Sequence, residues 1–354
     1  MKNKTISGNT NKLLRRVSRS FYMTLRVLPR AIRPQLSLTY MLARAADTVA
    51  DTAVITVDKR QEVLSALCRN IQAVCAGKKS SIPDIAVFLR DVRSAQPESS
   101  MKSAKEDAEL TLLENFETLL DALLEFSESD REKICTVLET ITCGQQADIR
   151  RFGTETGGIT ALDTDNELDA YTYEVAGCVG EFWTRLCLAH IFPRAALDEA
   201  QLMSDAIRFG KGLQLVNILR DLPEDLRQGR GYIPKQSLLR FGLTPDDLLN
   251  QDAMSRFQPL YNEYLELAEE CLRDGWRYTT SLPFRFPFGY ARLRLACAWS
   301  ILIGVKTLRR LRGVNILEYQ RVKITRKEIR RILVESVLLY PCHKAWNRLF
   351  DNYL

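Results

Sequence analysis

Histidine is nearly missing from this chain: His190 and His343 are the only two in 354 residues. A Ser-His-Asp or Cys-His nucleophilic mechanism and a histidine-ligated zinc centre are therefore poor fits. The nine cysteines contain no CxxC pair and their number is odd. Neither a zinc ribbon nor a closed disulfide framework is read from them. Cys68, Cys75, Cys135, Cys187 and Cys271 lie in apolar helical contexts, where thiols pack as small core residues. With no secretory signal, a reducing cytoplasm is the expected setting.

No apolar run reaches the roughly 18 residues of a membrane span; the longest, Leu295 to Val305, reads as a core helix. The protein is expected to be cytoplasmic, soluble or peripheral at a membrane. No GxGxxG follows a strand, and Gly210-Lys211-Gly212 opens nothing like a dinucleotide fold. Glycine and proline are sparse and period-2 apolar runs are few. Spacings of i, i+3 and i+4 dominate, so the fold class expected is all-α.

Acid is missing from one end. The first 46 residues contain no Asp or Glu, and Asp47 is the first. A second basic block runs from Lys306 to Arg331, and the net charge is +6. Such stretches suit nucleic acid, an anionic membrane or a phosphorylated small molecule. No nucleic-acid motif is present and no stacking aromatics interleave the cations, so no nucleic-acid partner is expected. Arg-rich and acid-free also describes an organelle transit peptide. The apolar periodicity, however, runs unbroken from Leu13 into the segment carrying Asp47.

Residues 1–12 read as a polar tail and 13–354 as one helical domain. Helices are expected over 13–27, from about Pro34 to 52, and over 59–76, 84–93, 109–126 and 130–152. Further helices are expected over 167–190, from 211, and over 257–279, 291–311, 324–339 and 342–350. Ser127 is the expected cap before the 130–152 helix. Ala176, Gly177 and Gly180, at helical spacing, permit close helix approach or leave room for a ligand.

The stretch from Gly210 to Pro234 carries the chemistry. On a helix, Gln214, Asn217, Asp221 and Asp225 fall on one stripe, beside apolar Leu213, Leu215, Val216, Ile218, Leu219 and Leu222. The stripe is expected to face inward, with Pro223 kinking the helix between the two acids. Asp47 and Asp51 repeat the spacing, with Arg44 one turn earlier. Two carboxylates one turn apart repel unless cations or protons intervene. A hard divalent metal is the obvious cation, since Mg²⁺ is held by one or two carboxylates plus substrate phosphate oxygens. Two internal ion-pair networks, with Arg44, Arg220 and Arg230 as partners, are the alternative. Two such pairs on two apolar helices suggest one cavity with two acidic walls, suited to a diphosphate.

The residues SRSF (18–21), YMLARAADTVAD (40–51), YTYEVAGCVG (171–180) and NILRDLPEDLRQGRGYIP (217–234) together resemble the squalene/phytoene synthase family. Val322-Lys323-Ile324 and the long C-terminal region are more similar to squalene synthases, of bacterial type, than to phytoene synthases. The resemblance implies a single-domain isoprenoid synthase fold with a central cavity between helices. It implies Mg²⁺-dependent head-to-head joining of two farnesyl diphosphates through presqualene diphosphate, then reduction by NADPH to squalene. Asp47, Asp51, Asp221 and Asp225 would carry the Mg²⁺-diphosphate. Arg19, Arg44, Arg220, Lys323 and Arg326 would hold phosphates of substrate or NADPH. Ser18, Phe21, Tyr40, Gln214, Asn217 and Arg230 would line the substrate site.

The chain departs from the family pattern in places. Ala50 stands where an extra acid is often found. Glu174 stands where a tyrosine is expected, with Tyr171 and Tyr173 close by as catalytic candidates. Ala296 replaces an aromatic and Thr325 an arginine. These departures bear on the reductive half. The alternatives are a presqualene diphosphate, dehydrosqualene or phytoene synthase without reduction, and a non-catalytic helical scaffold.

Overall fold

The computed structural model describes residues 8–18, 21–78, 83–95, 104–153, 157–318 and 322–354. The chain divides into two compact units, Met1–Thr154 with Arg185–Arg194, and Glu155–Thr184 with Ala195–Leu354. Both are helical. The only strands among the described residues are β1 (Thr160–Ala161) and β2 (Arg230–Gly231), which pair in parallel. The all-α expectation is met.

The first unit contains α1 (Gly8–Ser18), α2 (Phe21–Val27), α3 (Arg33–Asp51), α4 (Val57–Cys75), α5 (Pro83–Ala95), α6 (Ala104–Glu114), α7 (Phe116–Leu123) and α8 (Glu128–Phe152). Pro34 opens α3, where its missing N–H costs nothing. The α3 face bearing Leu38, Met41, Leu42, Ala45, Ala46 and Val49 is buried and packs on α4 and α8. Ser127 caps α8 as expected, its hydroxyl accepting from the Asp130 N–H at 3.2 Å.

The second unit holds α9 (Asp165–Thr172), a π-helical turn (Tyr173–Gly177), α10 (Cys178–His190, whose residues from Arg185 on belong to the first unit) and α11 (Glu199–Arg227). It continues with α12 (Lys235–Leu239), α13 (Met254–Ser281), α14 (Ala291–Leu311), α15 (Arg326–Leu339), α16 (His343–Asn347) and α17 (Leu349–Tyr353). Its centre is α11, which packs on α13, α14 and the π turn. The small residues of 176–180 serve close packing. A Cβ on Gly210 would meet the Ala176 carbonyl oxygen at 2.3 Å, and one on Gly180 the Ala206 oxygen at 2.0 Å. Backbone therefore lies against backbone there, and no larger residue fits.

Several boundaries differ from expectation. The 13–27 segment forms two helices, with the first starting at Gly8, inside the presumed polar tail. The 109–126 segment breaks at Asn115. The central helix begins at Glu199 under a cap from Asp198, whose side chain accepts from the Gln201 N–H. It then runs through Pro223 to Arg227 without a break. Pro223 cannot donate to the Leu219 carbonyl one turn back. The buried Tyr261 hydroxyl on α13 donates to that carbonyl instead, at 3.0 Å, so the helix continues without an orphaned acceptor.

Candidate active site

Along α3, Tyr40, Arg44, Asp47 and Asp51 stand at i, i+4, i+7 and i+11, one stripe opposite the buried face. Arg44 Nη1 lies 3.5 Å from Asp47 Oδ2, and its Nη2 donates to Glu109 Oε1 on α6. Gln145 on α8 donates through Nε2 to Asp47 Oδ1. The Tyr40 hydroxyl donates to the Val17 carbonyl at 3.4 Å. Burial pushes the Asp47 carboxyl up to about 6; Arg44 opposes the rise and Asp51 adds to it. Solvent nevertheless reaches 41% of the Asp47 side chain. The carboxyl is crowded by protein yet still open to a ligand. Asp51 is exposed. Two buried atoms beside Asp47 lack a partner: the acceptor Gln145 Oε1 and the donor Arg44 Nε.

The α11 stripe is built likewise. Arg220 grips Asp221 with two bonds, Nε to Oδ1 at 2.8 Å and Nη2 to Oδ2 at 2.5 Å. That bond is the main reason the Arg220 pKa rises. Gln214, Asp221 and Asp225 are half-buried, but Asn217 is exposed. The inward stripe expected from the sequence fails at Asn217, which lies across the helix from the buried Leu219 and Leu226. The arginine partners of the ion-pair alternative are therefore present as well, Arg44 on Asp47 and Arg220 on Asp221.

Other candidates are placed as follows. Tyr171 stacks on Tyr232 with ring centroids 4.9 Å apart. The Tyr173 hydroxyl donates to Glu181 Oε2 at 2.9 Å, with Lys211 Nζ 5.9 Å from its ring centroid. Arg230 opens β2 and is half-buried. Ser18 is buried and its hydroxyl donates to the Leu14 carbonyl at 2.5 Å, so it is committed to its own helix. Arg19 and the side chain of Phe21 lie outside the described residues. The sequence reading missed Gln145 and Glu109. A buried glutamine on the apolar face of α8 was the available signal for the first; nothing singled out the second.

A profile of the squalene/phytoene synthase family matches residues 14–328. The chain belongs to that family. Its relatives within the squalene/phytoene synthase family include the squalene synthase of Schizosaccharomyces pombe, 24% identical over 331 residues, covering 93% of this chain and 64% of that protein. The Saccharomyces cerevisiae squalene synthase is 24% identical over 343 residues, covering 97% and 69%. The bifunctional lycopene cyclase/phytoene synthase of Phaeosphaeria nodorum is 28% identical over 270 residues, covering 75% and 40%. This chain thus spans less than two thirds of the length of several relatives.

Among solved structures, TcSQS, a trypanosomal squalene synthase, in complex with E5700 superposes with a TM-score of 0.74 at 19% identity, over 98% of this chain and 89% of that one. A dehydrosqualene synthase complex gives 0.62 at 21% identity, over 92% and 93%. The squalene synthase HpnC of Alicyclobacillus acidocaldarius gives 0.59 at 19%, over 87% and 94%. These likenesses show that the all-α family fold extends over nearly the whole chain. With fungal, trypanosomal and bacterial proteins all among the matches, the bacterial type expected from the sequence is not singled out.

The residues fit one cofactor better than the other. Among the described residues no three His, Cys, Asp or Glu side chains converge on one point. Mg²⁺ needs only one or two carboxylates when phosphate oxygens and water complete its shell, and each aspartate pair offers that donor set. A phosphate oxygen would accept from Arg44 Nε, and a bound water would donate to Gln145 Oε1. The candidate NADPH residues Lys323 and Arg326 are exposed. Nearby, Glu328 already holds Arg310 at 2.8 Å and Lys306 at 3.5 Å. Hydrogen bonds from Thr325, with those two cations, push its carboxyl down to about 2.

Proposed function

We propose that the chain catalyses Mg²⁺-dependent head-to-head condensation of two farnesyl diphosphates to presqualene diphosphate. The observation that carries the reading is Asp47: a carboxyl held near 6 yet open to solvent, beside an unpartnered donor and an unpartnered acceptor. Family membership supports it. When bound, Mg²⁺ neutralises a diphosphate and makes it a good leaving group. Each aspartate pair, Asp47 with Asp51 on α3 and Asp221 with Asp225 on α11, would offer carboxylates to such an ion. Arg44 and Arg220 would place a guanidinium on the phosphate oxygens. Ionisation breaks the C1–O bond of one substrate, the double bond of the other captures the resulting allylic cation, and loss of a proton to the released diphosphate closes the cyclopropane ring. No protein nucleophile is needed, in keeping with a chain that has two histidines.

Reduction by NADPH to squalene would complete this reading; a second reading stops before reduction. It is favoured by Glu328, which occupies Lys306 and Arg310 beside the candidate NADPH residues Lys323 and Arg326. No step through NADPH is assigned here. Incubation with farnesyl diphosphate and Mg²⁺, with and without NADPH, tests both. Presqualene diphosphate formed with Mg²⁺ alone is the expected result. Squalene appearing only with NADPH extends the activity to a full squalene synthase, whereas NADPH-indifferent products favour the second reading. No consumption of farnesyl diphosphate overturns the proposal, and turnover of geranylgeranyl diphosphate instead points to a phytoene synthase.

A further inference from the structure

Eleven large apolar side chains are exposed among the described residues, and six of them lie on α15 or the 284–290 turn: Phe286, Phe288, Tyr290, Val334, Val337 and Leu338. The other five are scattered over as many elements or loops. The turn meets the C-terminal end of α15. The Phe288 ring stacks on Tyr340, the residue after α15, at 6.3 Å, and the Tyr340 hydroxyl donates to the Gly289 carbonyl at 2.9 Å. The turn is also anchored from beneath: Arg294, fully buried, lies 5.4 Å from the Phe284 ring and 5.8 Å from the Tyr340 ring. Phe286 and Leu338 are nonetheless 72% and 73% exposed.

The exposed face of α15 is uniform in charge. Its first half presents Arg326, Lys327, Arg330 and Arg331, and its second half Val334, Val337 and Leu338. Stepped at 100° per residue, these seven occupy one continuous arc. The helix's two acids, Glu328 and Glu335, lie off that arc and are engaged, the first by Arg310 and the second by the Tyr353 hydroxyl at 2.7 Å and by Arg331 at 3.6 Å. The turn adds exposed Arg285 and Arg292, and no Asp or Glu occurs from Gly275 to Leu317. Aromatic and aliphatic side chains bordered by an excess of cations match the headgroup region of an anionic bilayer. A second copy of this chain docked on the same patch would set arginine against arginine.

We propose that this surface docks on an anionic phospholipid membrane, with Phe286, Phe288 and Leu338 entering the headgroup layer while Lys327 and Arg330 bind lipid phosphates. The inference is independent of the reaction proposed above. Co-sedimentation of the full chain with phosphatidylcholine vesicles, with or without phosphatidylglycerol, tests it. The protein is expected to pellet with the anionic vesicles, to stay in solution with the neutral ones, and to be released by salt. Lys327→Ala and Arg330→Ala each weaken partition about fivefold, the worth of one cation near such a surface. Phe286→Ser with Leu338→Ser abolishes pelleting while thermal unfolding is unchanged, since both side chains are exposed. Parent protein that ignores anionic vesicles, or variants that pellet like the parent, overturn the proposal. So does a dimer in analytical ultracentrifugation that Leu338→Ser dissociates.

Discussion

Asp47 and Arg294 show two ways in which burial acts on a charge. Asp47 is an acid whose folded-state pKa stands near 6, above its ordinary 3.8. The native state therefore binds the extra proton between those values, and its contribution to stability is present below about 3.8 and lost as pH rises through 6. In metal-free protein the Asp47 carboxyl should titrate near 6 by carbon NMR, and Mg²⁺ with inorganic diphosphate should move the midpoint down. A midpoint near 4 that ignores both additions contradicts this reading. Among the described residues, Arg294 pairs with no acid. Its three guanidinium nitrogens find no hydrogen-bond partner, and it lies 4.6 Å from the Trp346 ring centroid. Burial pushes its pKa down, with the Tyr340 hydroxyl opposing. Arg294→Met should be neutral or stabilising by up to about 2 kcal/mol in urea unfolding. A loss larger than that would show that cation–π contacts outweigh desolvation. Neither environment was legible in the sequence, where Arg294 is one arginine among many. Only the fold supplies its aromatic surroundings and the Gln145 that meets Asp47.

At the scale of elements, periodicity read well wherever one apolar face decided the outcome. The 291–311 helix was anticipated to the residue, and α3, α4 and α8 to within two. It read poorly where a distant side chain changed the local rule. Pro223 ought to disturb α11 between its two acids, but Tyr261, 42 residues from Leu219 in sequence, supplies the missing donor. Tyr261→Phe leaves the Leu219 carbonyl buried and unpaired, at a cost of about 1–3 kcal/mol. The loss should appear in urea unfolding and as faster amide exchange around Pro223. Unchanged exchange there would mean that the helix does not need the tyrosine. A second tie, between α11 and α13, is equally hidden from sequence. Buried Asp205 accepts from Arg277 Nε at 2.9 Å and Nη2 at 2.5 Å. Asp205→Ala should cost about 2 kcal/mol, discounted because Arg277 is itself half-exposed. An unchanged urea midpoint would remove the tie from the account.

For the whole molecule, the all-α class and the family were readable from the helical spacings and from four motifs in order. The aspartate pairs were readable as well, since each is a property of one helix. What each pair meets was not: Glu109 and Gln145 reach the α3 stripe from helices whose pairing depends on the complete fold. The reductive half was least readable, because charge composition cannot show that Glu328 already binds part of the basic block. The central claim is that both aspartate pairs serve Mg²⁺-dependent loss of diphosphate. The direct measurement is the rate of diphosphate release from farnesyl diphosphate by the parent, Asp47→Asn and Asp221→Asn proteins across a Mg²⁺ titration. The account predicts that each variant falls about a hundredfold or more while its unfolding curve is kept. Release at the parent rate in either variant, or in the parent without Mg²⁺, would contradict it.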